Sequence, residues 1–284
     1  MSTIKTIVRG AYDIQKLRIQ MGNRIVTNFK AKLGQAPGLP EENMEADEKN
    51  VLAELRLHYR KITDGVKQLP RQATFKGDEV ISSYTEFCLL TQYLDLETSE
   101  ARHFRMLESV LKDFPIYTQF LETVRGIGPA MAGVLVSEID ITKATYPSSL
   151  WAYAGLDVAK DGKGRSKKAE HLVERQYTNK LGEQATKQSI TFNPFLKTKL
   201  VGVLAASFLR AGNEKYAKIY NDYKHRLECR EDLKETTKGH RHNMALRYMV
   251  KMFLVDLYVA WRPIVGLPVA ATYQEAKLGH KHTA

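Results

Sequence analysis

Apolar residues recur at steps of three and four along most of this chain, and that spacing admits little besides helices. Ile7, Ala11, Ile14, Met21 and Ile25 mark a long amphipathic helix whose seam is broken by Arg18. The stretch 34–40, with two glycines and two prolines, stops it. Leu52, Leu55, Tyr59, Ile62 and Val66 then keep a 3-4-3-4 seam of coiled-coil type up to Pro70. Two such helices on a tight linker predict an antiparallel hairpin. A third helical stretch is expected over about 78–112, through Tyr84, Cys88, Tyr93, Leu107, Val110 and Leu111. Residues 1–112 therefore read as a helical stalk that packs on itself or on a second copy of the chain.

Past Pro115 the texture changes, and 113–265 reads as a separate helical domain. Phe120, Leu121 and Val124 suggest one face of a short helix, and 146–155 a second, capped by Ser148 or Ser149 and closed by Gly155. Residues 157–188 are polar and basic without helical period, and 171–177 suit a small strand or hairpin arm. Stripes then return: Phe195, Leu196, Leu200, Val203, Leu204 and Phe208; Tyr216, Ile219, Tyr220, Tyr223 and Leu227; and Ala245, Tyr248, Met249, Met252, Phe253, Leu257 and Trp261. The last is apolar enough for a central core helix, stopped by Pro263. Residues 266–284 read as a flexible tail. The fold class expected is mainly α.

Charge bounds the partners. The net charge is +11, but residues 76–140 carry −6 and residues 141–284 carry +12. The C-terminal half is thus the part suited to a polyanion, since lysine and arginine contacts to phosphates release counterions. The two cysteines, Cys88 and Cys229, exclude a disulfide scaffold and a thiolate zinc site. No apolar run is long enough for a membrane helix and the N-terminus has no secretion signal, so a cytoplasmic setting and no membrane partner are expected.

Gly126-Ile127-Gly128-Pro129 lies between two expected short helices. Glycines permit a positive-φ reversal, Ile127 would pin the turn to the core, and proline suits the first turn of the next helix. Amides at the turn and helix start would face outward and fit a phosphate oxygen. This is a helix-hairpin-helix pattern, which grips the DNA backbone without reading bases. Arg125, Gly126, Ile127 and Gly128 are the DNA-contacting candidates there. The alternative is a glycine turn that only packs two helices.

The run 124–139, followed by 146–156, resembles the C-terminal transposase domain of the insertion-sequence-one-ten family, which includes the Piv-type DNA invertases. The resemblance covers roughly 115–262, and the helical stretch before it is also family-like. It implies DNA as partner, DNA transposition or recombination as activity, and allows a guide RNA. The family's usual N-terminal domain, ribonuclease-H-like with four magnesium-binding acids, has no counterpart in residues 1–112, which show no strand–Asp pattern. The acids Glu41, Glu42, Glu45, Asp47 and Glu48 sit at a linker and helix start, where they favour the helix dipole.

The resemblance also implies a serine nucleophile in the loop after the Gly155-Leu156 step. Ser166 is the only hydroxyl of residues 157–168, flanked by Arg165, Lys167 and Lys168, with Lys163 nearby. Positive charge there would steady both a phosphate and the attacking oxygen. The family order, serine then glycine then a basic residue, is not kept here, and Ser189 is the fallback. Ser166 as an ornament of a basic phosphate-binding loop is the competing reading. No cofactor or metal is expected: Gly162-Lys163-Gly164 is too short for a nucleotide loop, His240 and His242 face different ways on a helix, and His280 and His282 lie in the tail. Three functions remain: a Piv-like transposase or site-specific recombinase, dimerised or further assembled through its stalk; a non-catalytic helix-hairpin-helix DNA-binding protein; and a helical interaction protein.

Overall fold

The computed structural model describes residues 3–32, 46–47, 49–50, 53, 72–77 and 81–271. The seam expected at 52–66 and the tail histidines lie outside them. Among the described residues the chain is mainly α, with one two-stranded sheet. They divide into two compact units: residues up to Val8 with those from Leu107 onward, and residues Arg9 to Met106.

Helix α1 (Thr3–Lys32) is long, as its periodicity requires. Its buried stripe is Ile4, Val8, Ala11, Ile25 and Phe29. Extended through Gln15, Arg18 and Gly22, this stripe keeps a 4-3 spacing throughout, one position away from the one drawn through Ile7, Ile14 and Met21. Those three are only half-buried. Ala11, Arg18 and Ile25 lie on both; the fold selects the stripe that puts polar Gln15 against Glu100.

In the Arg9–Met106 unit α1 runs against α2 (Tyr84–Leu111). Tyr12 meets Phe104 edge-on, Arg18 meets Glu100 and Tyr93, and Lys32 meets Glu86, so the two segments are antiparallel. Ile25, Phe29, Ile81, Phe87 and Leu90 form the apolar cluster, capped by Phe75 and Tyr84. The helix expected from about 78 begins at Tyr84, because Glu86 turns back to accept from the Ser82 and Ser83 amides and fixes the start there.

In the other unit, α3 (Pro115–Gln119) is followed by a 3₁₀ turn (Leu121–Thr123). The helical face expected over Phe120, Leu121 and Val124 is therefore broken: Phe120 leaves the helical region at φ −138° and Val124 is extended. Helix α4 (Pro129–Glu138) follows, buried along most of its length, with Gly133 pressed between Val8 and Leu107. Helix α5 (Pro147–Tyr153) starts earlier than a cap at Ser148 or Ser149 would place it. Tyr146 is its N-cap and Pro147 its first residue, while Ser149 sits one turn in and accepts from the Tyr146 amide at 3.4 Å.

Strands β1 (Val173–Thr178) and β2 (Gln184–Ser189) pair antiparallel, Val173 opposite Ser189, around a turn held by Asn179. Next come α6 (Pro194–Lys199), a π turn (Leu200–Leu204) and α7 (Ala205–Arg210). Then α8 (Glu214–Glu228) and α9 (Lys238–Ile264) complete the unit. Helix α9 is its centre: Phe253 closes an aromatic cluster with Phe208 and Tyr216. Its polar ties run to the α5 region, with Tyr258 donating to the Thr145 carbonyl and Trp151 donating to the Lys251 carbonyl. Among the described residues no helix is long and apolar enough to cross a membrane.

Candidate active site

Two features of the Leu107-onward unit carry the residues singled out in the sequence: the turn at Gly126–Gly128 and the loop from Asp157 to His171.

The turn is anchored from behind. Ser207 Oγ donates to the Gly126 carbonyl at 2.7 Å, and Asn213 Nδ2 to the Arg125 carbonyl at 2.8 Å. Gly126 has φ +100°, and a Cβ there would stand 3.0 Å from the Phe208 ring, so this position needs glycine on two counts. Gly128 does not: its φ is −97° and ψ 174°, ordinary extended backbone with open space around it. Only one of the two glycines makes the reversal, which corrects the expectation that both do. Ile127 is half-buried, and its amide is spent on the Val124 carbonyl at 3.0 Å. Among the described residues the amides of Gly126, Gly128 and Ala130 meet no backbone acceptor. Arg125 and Gly128 are exposed.

The loop begins as a small hairpin. Val158 bridges Gly164, the Ala159 amide donates to the Lys163 carbonyl, and the Arg165 amide donates to the Asp157 carbonyl. The Arg165 guanidinium closes on the Asp157 carboxylate through Nη2 at 2.6 Å and Nε at 3.1 Å, a forked pair that holds Arg165 in its charged form. Lys197, on α6, donates to the Arg165 carbonyl. The backbone then reaches Ser166 and enters a 3₁₀ turn (Ala169–His171) that returns His171 toward it.

Ser166 Oγ lies 2.8 Å from His171 Nδ1, and His171 Nε2 lies 3.1 Å from Asp161 Oδ2. The Ser166 amide also donates to Nδ1 at 2.9 Å. An amide can only donate, so Nδ1 is an acceptor and the proton sits on Nε2, facing the carboxylate. His171 is buried, at 4% exposure, whereas Ser166 is half-buried. Asp161 accepts from the Lys163 amide at 2.9 Å; that bond, then His171, keeps its carboxyl below the usual range. Hydroxyl, imidazole and carboxylate thus stand in serine-to-acid order: the acid fixes the ring, and the one lone pair of Nδ1 is shared between the Ser166 amide and the Ser166 hydroxyl.

Ser189, the fallback, makes no side-chain hydrogen bond among the described residues. Lys163, Lys167 and Lys168 are exposed around the loop, while Arg165 is already neutralised by Asp157. No hydrogen bond or ion pair among the described residues joins Arg125–Gly128 to Lys163–Lys168. Asp161, Glu170 and His171 bring ligand atoms within 4.8 Å of one another. Both His171 nitrogens are engaged, so a cation there would first have to displace Ser166 or Asp161. Asp161 and His171 went unseen in the sequence reading. Their only signal was the presence of a histidine and an aspartate within ten residues of the candidate serine.

No curated protein matches the chain. Residues 118–199 match the family described as Transposase IS116/IS110/IS902 family. The match runs from α3 to the end of α6 and takes in the anchored turn, α4, α5, Ser166, Asp161, His171 and the β-hairpin. Over residues 118–199 the chain is thus similar to the transposases of the IS116/IS110/IS902 family.

Proposed function

We propose that the chain is a DNA transposase or site-specific recombinase of the Piv-like kind, in which Ser166 attacks a DNA phosphodiester. The observation that carries this is the 2.8 Å approach of Ser166 Oγ to His171 Nδ1, with Asp161 on the far nitrogen. In the step proposed, Oγ bonds to phosphorus while its proton passes to Nδ1. The bond from phosphorus to one deoxyribose oxygen breaks, and that oxygen takes the proton from Nδ1. A serine–phosphate ester remains, ready for a second strand end to reverse the exchange. Lys163, Lys167 and Lys168 supply positive charge around the phosphate. The Gly126–Gly128 turn holds a second phosphate through the amides of Gly128 and Ala130, with Arg125 beside them. Assembly of copies through the helical segment before Leu107, and a bound guide RNA, belong to the same reading.

A non-catalytic DNA-binding role draws on a different bond. Ser166 Oγ also accepts from the Lys168 amide at 3.3 Å, which a serine that merely shapes a turn would do.

Ser166→Ala separates the two. Loss of strand joining with duplex binding intact supports the nucleophile; joining equal to wild type removes Ser166 from the chemistry. Gly128→Val probes the grip. Extended backbone with open space around it accepts valine, so the variant should fold, and the added bulk lies at the residue whose amide is offered to phosphate. Duplex affinity should fall for any sequence, and unchanged affinity would mean that the turn is not the grip.

A further inference from the structure

Beside the serine loop lies a cavity of about 650 Å³, whose lining shares only Lys163 with the residues placed around the attacked phosphate above. One wall is the Asp157–Gly164 hairpin, and the other is α9, with Tyr223 of α8 at the rim. Arg247 and Lys251 reach into it from successive turns of α9. Like charges four residues apart on a helix repel, and burial holds both side chains below their usual ranges. Among the described residues no carboxylate lies within ion-pair distance of either. The acid that bears on Lys251 electrostatically is Asp157, which is already forked onto Arg165. Gly162-Lys163-Gly164, too short for a nucleotide loop, has another use here. A Cβ on Gly164 would stand 2.2 Å from Arg247 Nη1, so the missing side chain is what lets the guanidinium into the cavity. At the rim the Tyr223 and Tyr248 rings stack at 4.0 Å and 10°. Asn243, one turn before Arg247, adds an amide with both donors and an acceptor.

Two half-buried cations with no acid in ion-pair contact leave room for an anion, and a tyrosine pair with an amide beside it suits a flat heteroaromatic ring. We propose that this cavity takes one unpaired nucleotide of a DNA strand, its phosphate on Arg247 and Lys251 and its base against the Tyr223–Tyr248 stack. Gly164 is two residues from Ser166, so the captured nucleotide neighbours the attacked phosphate, and the strand is splayed from its duplex there. This rests on the nucleic-acid reading above but not on Ser166 being the nucleophile.

The test is direct binding by the full chain, by fluorescence anisotropy. The probes are a labelled oligothymidylate of about 12 nucleotides, the same strand with abasic sugars, and a random duplex of equal length. Wild type should prefer oligothymidylate over the abasic strand. Arg247→Met and Tyr248→Leu should each weaken oligothymidylate binding by about tenfold or more and duplex binding by less than about twofold. Gly128→Val should do the reverse. Arg247→Met should also melt no lower than wild type, because it replaces an uncompensated cation by an apolar chain. Equal affinity for the abasic and normal strands overturns the base-stacking half. Unchanged oligothymidylate binding in both folded variants overturns the site. Duplex binding without any oligothymidylate binding sinks the cavity and leaves the grip standing; absence of both sinks the nucleic-acid reading itself.

Discussion

His171 carries the chemistry proposed for Ser166 only if its Nδ1 takes the proton. Removing a positioned base costs about 10²–10⁴ in rate. His171→Gln should therefore slow single-turnover strand cleavage by about a hundredfold or more while leaving duplex affinity alone. Asp161→Asn should cost less, because the amide oxygen still accepts from Nε2–H and holds the ring. Cleavage by His171→Gln at the wild-type rate would remove the imidazole from the step. Lys197 offers a second test at this scale. Burial, then the charge of Arg247, pushes its ammonium from 10.5 down to about 8. In the folded chain the charged form is the disfavoured one, so between those two values the unfolded chain binds more protons at this site. Its contribution to stability accordingly rises with pH across that window and is constant below it. Lys197→Met deletes the effect. The melting temperature of the variant minus that of wild type should decrease as the buffer climbs from neutral toward pH 10.5, and a constant difference would contradict the shift. Ser166 was legible in the sequence because it is the sole hydroxyl of a basic loop. His171 and Asp161 were not, since they lie five residues to either side of it through backbone with no period. Only the 159–163 reversal and the 3₁₀ turn bring them together.

Among the elements, the segment from α6 to α7 shows what periodicity reveals and what it conceals. The apolar stripe through Leu196, Leu200, Leu204 and Phe208 is plain in the sequence, and all four are buried. Steps of four drift around a regular helix of 3.6 residues per turn. The π turn at Leu200–Leu204 widens the helix at the middle of the stripe and brings Leu204 back over Leu200. Val203, which a regular helix would share with the stripe, is left 41% exposed. Leu204→Ala should thus cost about 2–5 kcal/mol of unfolding free energy in denaturant titration, and Val203→Ala less than about 1. Equal costs would mean that the helix is regular there. The same limit explains α1. A 3-4 pattern announced a helix, but the choice between two adjacent stripes turned on Gln15 finding Glu100 in another element, which no local pattern encodes. The anchored turn was legible as a motif. Which of its two glycines carries the strain was not, because that depends on Phe208 and Ser207 behind it.

For the whole molecule, the uneven charge is the property that reaches the partner first. Residues 141–284 hold a net +12, while residues 76–140, which include the amides of the turn, hold −6. The DNA-contacting reading therefore places most of its cations after the turn, on the serine loop and the helices around it. Arg165, Lys215 and Arg230 are spent on Asp157, Asp256 and Asp232, so they add little to the outward field. Lys163, Lys167 and Lys168 remain exposed. Each phosphate neutralised contributes about −0.9 to the slope of log affinity against log salt. Replacing Lys167 or Lys168 by alanine should flatten that slope by about one each, weaken binding equally across sequences, and leave any sequence preference intact. The replacement of Arg165 by alanine should flatten it far less, since that charge is paired before DNA arrives. The comparison decides between two origins of the affinity. If all three variants flatten the slope alike, the Arg165–Asp157 fork opens on binding and the loop remodels around DNA. If none does, the +12 of the C-terminal half is only a solvating surface, and the anion met by this protein lies elsewhere.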